Sequence, residues 1–442
     1  MRLAVIYDFD MPVDIRREGI GVYVKNLLYF LLKYDKDIHI ELWFYSFNDN
    51  YVRELFADSI DAFGERVHLC HERMCDDSIY YGYRKKLWAV KKVFYTCLYR
   101  TTCFEKFLRK AEKYSNSPYL KDKSHAYSLL ETIEKKSKAD VAYSFFVTFK
   151  HGLAFNKPCV MQVHDLFTLQ LRELFLQSIP NVDELNQDIV KNLTEYADKG
   201  TKFVCSSSYV AKNHLLKYVP CHEENVHIIP FPPMIKKVNS GIASKEDIYR
   251  KFDISGKYIF YASQNRPNKN LIVLLKAIHH LQQQNISIQL VTTGTVSAVP
   301  ICKDFADSTE IKKLIREIGS VSEEDLYSLY VHSSAVVVPT IIEGYGMSGQ
   351  ALEALSVKNI PVIHGKSLGM EESLASVGLS YELADLNWFE LDDYHDLANK
   401  IVDIMKDPAS HIKKQKHILG HYTAITWEDT AKRYLSLFNS LV

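Results

Sequence analysis

The sequence has neither a long apolar run nor a net charge. Its 54 basic side chains balance 54 acidic ones, which argues against nucleic acid as the main partner, since such proteins carry an excess of positive charge. No apolar run approaches the roughly 20 residues of a membrane helix. The segment Met1–Asp8 turns polar without the longer apolar core and cleavage site of a signal peptide. We therefore expect a cytoplasmic protein.

The eight cysteines form no paired framework, as is typical of proteins in a reducing compartment. One cluster of metal-ligating residue types stands out, namely His68, Cys70, His71 and Cys75. It lacks a second ligand pair at zinc-finger spacing. We therefore interpret it as ordinary surface and core residues and expect no metal there.

The length of 442 residues, with 47% hydrophobic and 24% charged residues, predicts a globular protein of two domains of roughly 200 residues each. A boundary is indicated where His227–Ile229 is followed by three prolines within four residues, because proline cannot continue the interior of a sheet. The predicted domains are residues 1–232, together with a C-terminal helix at 426–442, and residues 233–425.

Both halves alternate short apolar segments with amphipathic ones, a pattern typical of α/β domains with doubly wound parallel sheets. The predicted strands are 1–8, 38–47, 139–146, 159–166, 203–208, 258–263, 288–292, 335–338 and 361–363. The predicted helices include 209–218, 271–283, 311–318, 323–330 and 350–355, and a last helix after the N-cap residue Thr426 that runs to Leu441.

The stretch from Ala335 to Ile363 is the most informative part of the chain. A buried strand is followed by a turn with three glycines, a helix and another strand. Such a turn lies at the carboxyl end of a parallel strand, where ligands bind, and the start of the helix offers unpaired N–H groups to an anion.

Three other turns contain candidate binding residues. Arg266 and Lys269 lie between a strand and a helix, where they suit a diphosphate or, alternatively, are charges in an exposed loop. The pair His164-Asp165 ends a strand and suits a hydrogen-bond donor, a base or a structural pair. Gly19 and Gly21 begin a predicted helix that would hold a phosphate or sugar, although a tight turn needs the same residues.

Five strings, in this order along the chain, resemble motifs of the retaining GT-B glycosyltransferases of family 4, also called glycosyl transferases group 1. They are Gly-Ile-Gly at 19–21, Val-His-Asp-Leu at 163–166, Arg-Pro-Asn-Lys-Asn at 266–270, Glu-Gly-Tyr-Gly at 343–346, and Leu-Glu-Ala-Leu at 352–355 with Ile-Pro-Val behind it. The resemblance covers nearly the whole chain. It implies two Rossmann-like domains that face each other across a cleft containing the active site, with the last helix crossing back to the N-terminal domain.

The resemblance also implies roles for individual residues. Glu343 and His164 would orient the donor sugar, and Arg266 and Lys269 would neutralise the leaving diphosphate. The implied donor-binding residues are Gly19, Gly21, Asp165, Gly344, Tyr345, Gly346, Met347, Ser348 and Glu353. Glu353 would hold the ribose hydroxyls, but two extra residues separate it from Glu343, in the segment 348–350.

The implied reaction moves a sugar from a nucleotide diphosphate sugar to a hydroxyl of a glycan or lipid-linked acceptor, in bacterial cell-surface polysaccharide or glycoconjugate synthesis. No cofactor and no metal are expected, because cations neutralise the diphosphate. The triplets Asp8-Phe9-Asp10 and Asp35-Lys36-Asp37 match a metal-binding pattern of another glycosyltransferase fold, but such triplets arise readily by chance. A sugar-nucleotide epimerase of GT-B fold and a catalytically silent GT-B scaffold are the alternatives.

The segment 83–113 is strongly basic, with ten basic against two acidic residues and apolar residues near helical spacing. Such a helix suits an anionic membrane surface, and it equally suits a solvated helix with its apolar stripe toward the core. The one-sided charge favours peripheral membrane contact.

Overall fold

The computed structural model describes residues 1–9, 14–16, 18–72, 129–147, 156–230, 232, 241–344, 347–357, 359–422 and 425–442. The basic segment 83–113 lies outside these residues. Tyr345 and Gly346 also lie outside them.

The first sheet has seven strands in the order β3-β2-β1-β4-β5-β6-β7. Its strands are β1 (Arg2–Tyr7), β2 (His39–Tyr45), β3 (Val67–Glu72), β4 (Val141–Ser144), β5 (Cys159–Val163), β6 (Lys202–Cys205) and β7 (Val226–Ile228). The inner strand β1 pairs in parallel with β2 and β4, and Val5 is opposite both Leu42 and Tyr143. Such parallel pairing needs a crossover segment between successive strands.

Helices alternate with these strands. They are α1 (Gly19–Tyr34), α2 (Asp49–Leu55), α3 (Ala57–Phe63), α4 (Leu129–Lys136), α5 (Phe167–Gln170), α6 (Arg172–Leu176), α7 (Val182–Asp198) and α8, which runs without a break through Ser208–Val210, Ala211–Leu215 and Leu216–Tyr218. The middle part of α8 is a π-helical turn. Ser207 caps its start by accepting a hydrogen bond from the amide of Val210, a position that favours serine.

The second sheet has five strands in the order β10-β9-β8-β11-β12. They are β8 (Tyr258–Tyr261), β9 (Gln289–Thr292), β10 (Ile315–Glu317), β11 (Ala335–Val338) and β12 (Val362–His364). The helices that follow residue 241 are α9 (Lys245–Lys251), α10 (Leu271–Gln283), α11 (Pro300–Ser308), α12 (Glu323–His332), α13 (Gly349–Ser356), α14 (Met370–Ser376), α15 (Tyr394–Lys406), α16 (Pro408–Lys414), α17 (Lys416–Tyr422) and α18 (Trp427–Asn439).

Strands β8 and β11 are buried on both faces, as their unbroken apolar sequences predict. Successive side chains point to opposite faces, so Phe260 and Val336 pack with residues of α12, α13 and α14. Ile259 and Val337 pack on the other face with residues of α10 and α15. The second sheet is therefore doubly wound.

By its internal contacts the chain divides into two compact units. One contains residues 1–161, 199–201 and 435–442, and the other contains residues 162–198 and 202–434. The domain boundary expected after residue 232 stays a prediction. Among the described residues, none of the helices is both long enough and apolar enough to cross a membrane.

One predicted helix is wrong. Residues 311–318 form a 3₁₀ turn, Glu310–Leu314, and then β10. Ile315, Arg316 and Glu317 pair in parallel with Leu290, Val291 and Thr292 of β9. Backbone pairing with β9 at the edge of the sheet therefore determines the conformation of these residues, although their local sequence pattern favours a helix.

The last helix, α18, has the N-cap that its sequence predicts, and its side chains anchor it on the first sheet. The hydroxyl of Thr426 accepts a hydrogen bond from the amide of Asp429 at 3.1 Å, which makes it the N-cap. The ring of Phe438 packs edge-on against Tyr143 of β4, with 5.6 Å between centroids. The hydroxyl of Tyr434 donates to Oε1 of Gln162 in β5, so the helix returns to the first sheet.

We expect Tyr434→Phe to lower the free energy of unfolding by about 1–3 kcal/mol, because Gln162 Oε1 is buried and loses this donor. Chemical denaturation measures the change. Tyr34→Phe is the control, since Tyr34 is 46% exposed and should change stability by less than about 0.5 kcal/mol. Equal effects of the two substitutions would contradict this account of the anchor.

Candidate active site

The turn after β11 is held between the turns that follow its two neighbouring strands. The amide of Ile341 donates to the carbonyl of Asn268, after β8, at 2.9 Å, and the amide of Leu368, after β12, donates to the carbonyl of Ile341 at 2.8 Å. Because the three strands are parallel, their carboxyl ends lie at one edge of the sheet. This arrangement brings the predicted phosphate-binding turn to the predicted sugar-binding turn.

Lys269 and Glu343 form an ion pair across these turns. The Nζ atom of Lys269 lies 2.5 Å from Oε1 of Glu343, and the two side chains are only 17% and 9% exposed. The sequence predicts a separate donor contact for each residue, and the structure pairs them with each other. Removing one partner of such a pair leaves the other charge unpaired in a poorly solvated place, which costs about 3–5 kcal/mol.

Arg266 lies in the same turn as Lys269 but is exposed. Its guanidinium donates to Oε1 of Gln264 at 3.1 Å. Between the two cations, Pro267 opens a 3₁₀ turn, and Asn270 then adopts a left-handed conformation with φ of 52°. The side-chain amide of Asn270 donates to the carbonyl of Leu391 at 3.1 Å, which fixes the end of this turn.

Asp165 lies in the electrostatic field of these groups. Burial raises the pKa of its carboxyl to about 6, the hydrogen bond from the amide of Phe167 opposes that rise, and the Glu343 carboxylate adds to it. Arg266 and Lys269 act in the opposite direction on the same pKa. The arrangement therefore contains two neighbouring carboxyl groups with two cations beside them, and the pKa of the Asp165 carboxyl is raised to about 6.

Gly344 is in direct contact with the turn that contains His164. A Cβ atom at position 344 would lie 2.3 Å from the carbonyl oxygen of His164 and 3.9 Å from Cβ of Asp165. Only glycine permits this close approach of two backbones. The carbonyl of Gly344 also accepts hydrogen bonds from the hydroxyls of Ser206, at 2.5 Å, and Ser207, at 3.4 Å. The structure thus brings together Asp165, His164, Glu343 and Gly344.

Three residues of this arrangement are missing from the sequence-based prediction. Ser206 is one of them, and a run of serines at the end of a strand was the only signal for it. His214 accepts a hydrogen bond at Nδ1 from the amide of Leu166 at 2.9 Å. His364 ends β12 and donates from Nδ1 to the carbonyl of Gly365 at 2.7 Å. Both histidines are completely buried.

The predicted residues of α13 have structural partners. Ser348 is the N-cap, and its hydroxyl accepts from the amide of Ala351 at 3.2 Å. Met347 is buried. The carboxylate of Glu353 accepts a hydrogen bond from the hydroxyl of Tyr330 in α12 at 3.1 Å. The ribose contact expected of Glu353 stays a prediction.

Gly19 and Gly21 lie inside α1 rather than in a turn before it. A Cβ atom at position 21 would lie 1.9 Å from the carbonyl oxygen of Ile15, so close packing of the preceding segment requires glycine. These two residues belong to the other compact unit. Their contact with a donor stays a prediction.

Among the described residues, no three side chains of histidine, cysteine, aspartate or glutamate are grouped as metal ligands. In the triplet 35–37, the amide of Asp37 donates to Oδ1 of Asp35 at 2.8 Å, which forms a local turn. Asp10 and Cys75 lie outside the described residues. The expectation of a site without metal stays a prediction.

His364 gives a prediction for the pH dependence of stability. Burial lowers the pKa of His364 from 6.5 to about 4, with Lys269 also lowering it, while the carbonyl of Gly365 and the Glu343 carboxylate raise it. Between these two pH values the unfolded chain binds a proton that the folded chain does not, so stability falls as the pH falls. We expect the wild type to lose about 3 kcal/mol more than His364→Asn between pH 7 and pH 4.

Urea denaturation at several pH values measures this difference, since all other titrating groups are common to both proteins. His395→Asn, which changes an exposed imidazole, should follow the wild-type curve. If the His364→Asn curve were parallel to that of the wild type, the neutral state of the buried imidazole would be refuted.

Comparisons with known proteins show which proteins the chain is similar to. Residues 244–423 match the family model of glycosyl transferases group 1. A curated relative, D-inositol 3-phosphate glycosyltransferase of Corynebacterium urealyticum, is 24% identical over 230 residues, which are 50% of this chain and 52% of that one. The chain therefore spans about half the length of the curated relative it matches.

Solved structures match over the full chain. HepE from Anabaena, in complex with UDP and glucose, has a TM-score of 0.61 at 10% identity over 100% of both chains. Sucrose-phosphate synthase from Thermosynechococcus elongatus has a TM-score of 0.58 at 15% identity over 100% of this chain and 99% of the other. WaaG, a glycosyltransferase involved in lipopolysaccharide biosynthesis, has a TM-score of 0.58 at 10% identity over 99% of both chains.

At these identities the structural matches establish the fold. They confirm the fold that the sequence predicts. The family match confirms the resemblance over residues 244–423, which contain three of the five strings. The chain therefore has the GT-B fold, and its residues 244–423 match the family model of glycosyl transferases group 1.

Proposed function

We propose that the protein is a retaining glycosyltransferase that uses a nucleotide diphosphate sugar and needs no metal. The bond from the anomeric carbon to the diphosphate oxygen breaks, and a bond to the acceptor hydroxyl oxygen forms on the same face of the sugar. The hydroxyl proton passes to the leaving diphosphate. The observation that carries this proposal is the Lys269–Glu343 pair at the carboxyl ends of β8 and β11.

The pair suits a donor that is anionic at one end and rich in hydroxyl groups at the other. The ammonium of Lys269 has three N–H donors, so it can keep Glu343 and still bind a phosphate oxygen. Arg266 and the first turn of α13, whose N–H groups attract anions, supply further positive charge. Together they would stabilise the charge that develops on the leaving diphosphate.

The sugar would lie on the other side of the pair. The carboxylate of Glu343 accepts hydrogen bonds from hydroxyl groups, and His164 offers a ring nitrogen from the turn that contacts Gly344. Asp165 adds a second carboxyl whose ionised form favours positive charge on a sugar ring. The sugar would thus be held by groups from two separate turns.

A uridine donor is the first to test. HepE has been captured with UDP and glucose and also with UDP-glucose, and it shares the fold of this chain. WaaG is involved in lipopolysaccharide biosynthesis, which favours a cell-surface glycan or lipid-linked acceptor. Peripheral membrane contact through residues 83–113 belongs to the same proposal, although that segment lies outside the described residues.

Nucleotide release from a panel of UDP-, GDP-, dTDP- and ADP-sugars, in the presence of EDTA, tests the proposal. We expect turnover of one donor, and a loss of about 10² in kcat/KM for both Lys269→Ala and Glu343→Gln, as for removal of one group that stabilises charge in a transition state. The matched controls are Lys313→Ala and Glu310→Gln. They disrupt an ion pair with 65% and 78% exposed side chains and should leave the rate unchanged.

Other outcomes would point to the alternatives. A sugar nucleotide changed in configuration without any acceptor would indicate an epimerase. Failure to bind any donor, with and without divalent ions, would indicate a scaffold protein. Inversion at the anomeric carbon of the product would contradict the retaining mechanism.

Asp165 predicts the pH profile of the reaction. Because the pKa of its carboxyl is raised to about 6, the carboxylate forms as the pH rises through that value. We expect kcat/KM to rise with an inflection near pH 6, since this profile reports the free enzyme. Asp165→Asn should lower the rate at pH 7.5 and remove the inflection. Asp188→Asn, an exposed change in α7, should keep it, and an inflection that persists in Asp165→Asn would assign it to another group.

A further inference from the structure

The turn that contains His164 and Asp165 depends on a side chain from α8. Residues 164–166 follow β5 and have no regular secondary structure. The amide of Leu166 donates to Nδ1 of His214 at 2.9 Å, and this bond is buried. A buried amide at the end of a strand needs an acceptor from elsewhere in the protein, and here a histidine 48 residues away supplies it.

This hydrogen bond fixes the chemical state of the imidazole. An Nδ1 atom that accepts must be unprotonated, so the proton of the neutral ring is on Nε2. Burial lowers the pKa of His214 to about 4, and Lys217 of the same helix lowers it further. The rings of Phe167 and Tyr209 lie against the imidazole, with centroids 5.8 Å and 5.9 Å away. The acceptor is therefore present throughout the physiological pH range.

Two features of His214 argue that it does more than fill space in the core. It lies in the π-helical turn Ala211–Leu215, and such turns are rare and frequently occur at functional sites. Its Nε2 atom is buried and has no hydrogen-bond partner among the described residues. An apolar side chain of similar size would avoid the burial of an unpaired polar atom.

The turn held by His214 also contacts the Glu343–Gly344 segment. Gly344 packs so closely on the carbonyl of His164 that a Cβ atom would lie 2.3 Å from it. A displacement of residues 164–166 would therefore change the contact with Gly344 as well as the positions of His164 and Asp165. Several groups of the candidate active site thus depend on one hydrogen bond.

We infer that His214 is a positioning residue, which orients His164 and Asp165 toward the donor sugar by accepting the hydrogen bond of the Leu166 amide. This inference rests on the proposed transferase function. His214 does not touch the donor and acts through the backbone of the turn. A misplacement of about 1 Å in reacting groups can cost about 10² in rate, so the loss of the acceptor should be visible in the kinetics.

Three substitutions of His214 separate the effect of losing the hydrogen-bond acceptor from the effect of losing the volume of the imidazole ring. His214→Asn retains a polar atom near the place of Nδ1, His214→Gln puts its amide near the place of Nε2, and His214→Leu has no acceptor. We expect kcat/KM to fall about 10- to 100-fold in the Leu and Gln variants and to recover largely in the Asn variant. Comparison of Asn with Gln, which are both polar, keeps the test valid if the Leu variant does not fold.

Two further readouts distinguish positioning from general stability. Hydrogen exchange of the peptide that contains residues 164–168 should be faster in the Leu and Gln variants than in the wild type or the Asn variant. In a double-mutant cycle with His164→Ala, the effect of His214→Gln should shrink, because the side chain that it positions is already absent. A purely structural residue would give additive losses.

The opposite results overturn the inference. Unchanged exchange at residues 164–168 in the Gln variant would refute the anchor. Additive losses in the cycle, or equal losses for Asn and Gln, would refute the positioning role. A wild-type protein that neither binds nor uses any sugar nucleotide would refute the proposed function and the positioning role with it, whereas hydrogen exchange would still decide whether His214 holds Leu166.

Discussion

The parallel pairing of β11 with both β8 and β12 is the constraint on which the candidate active site depends. It fixes three strand ends at one edge of the second sheet, so the turns that follow must satisfy one another's backbone groups. Asn268, Ile341 and Leu368 do so through two hydrogen bonds. The Lys269–Glu343 pair is a result of this backbone arrangement, because each partner lies in one of the turns that it joins.

Much of the fold could be predicted because its strands are short, buried and apolar. Strand Ala335–Val338 and helix Leu271–Gln283 have the predicted bounds. The strand is an unbroken apolar run that is buried on both faces, and the apolar residues of the helix recur at helical spacing without interruption. Residues 311–318 were predicted wrongly because pairing with β9 decides their conformation. Ser206 and His214 could not be found, since their partners are 138 and 48 residues away and no local pattern encodes such distances.

Electrostatics explains why the site combines charges of both signs in a small volume. The Glu343 carboxylate raises the cost of ionising Asp165, and Arg266 and Lys269 lower it. A bound diphosphate would add negative charge beside the same two cations. The protonation of Asp165 would therefore be coupled to occupancy of the neighbouring position, and that coupling has the same magnitude in both directions.

Gly344 has a consequence for the design of variants with altered sugar preference. Because the backbones of residues 164 and 344 touch with no side chain between them, this contact cannot be adjusted by mutation, and libraries that vary position 344 would yield mostly misfolded turns. Diversity is better directed to Gly349 and Gln350, the first two residues of α13, with the Ser348 cap retained. The contact between residues 164 and 344 would then stay the same in every variant, so that differences in sugar preference come from the varied residues.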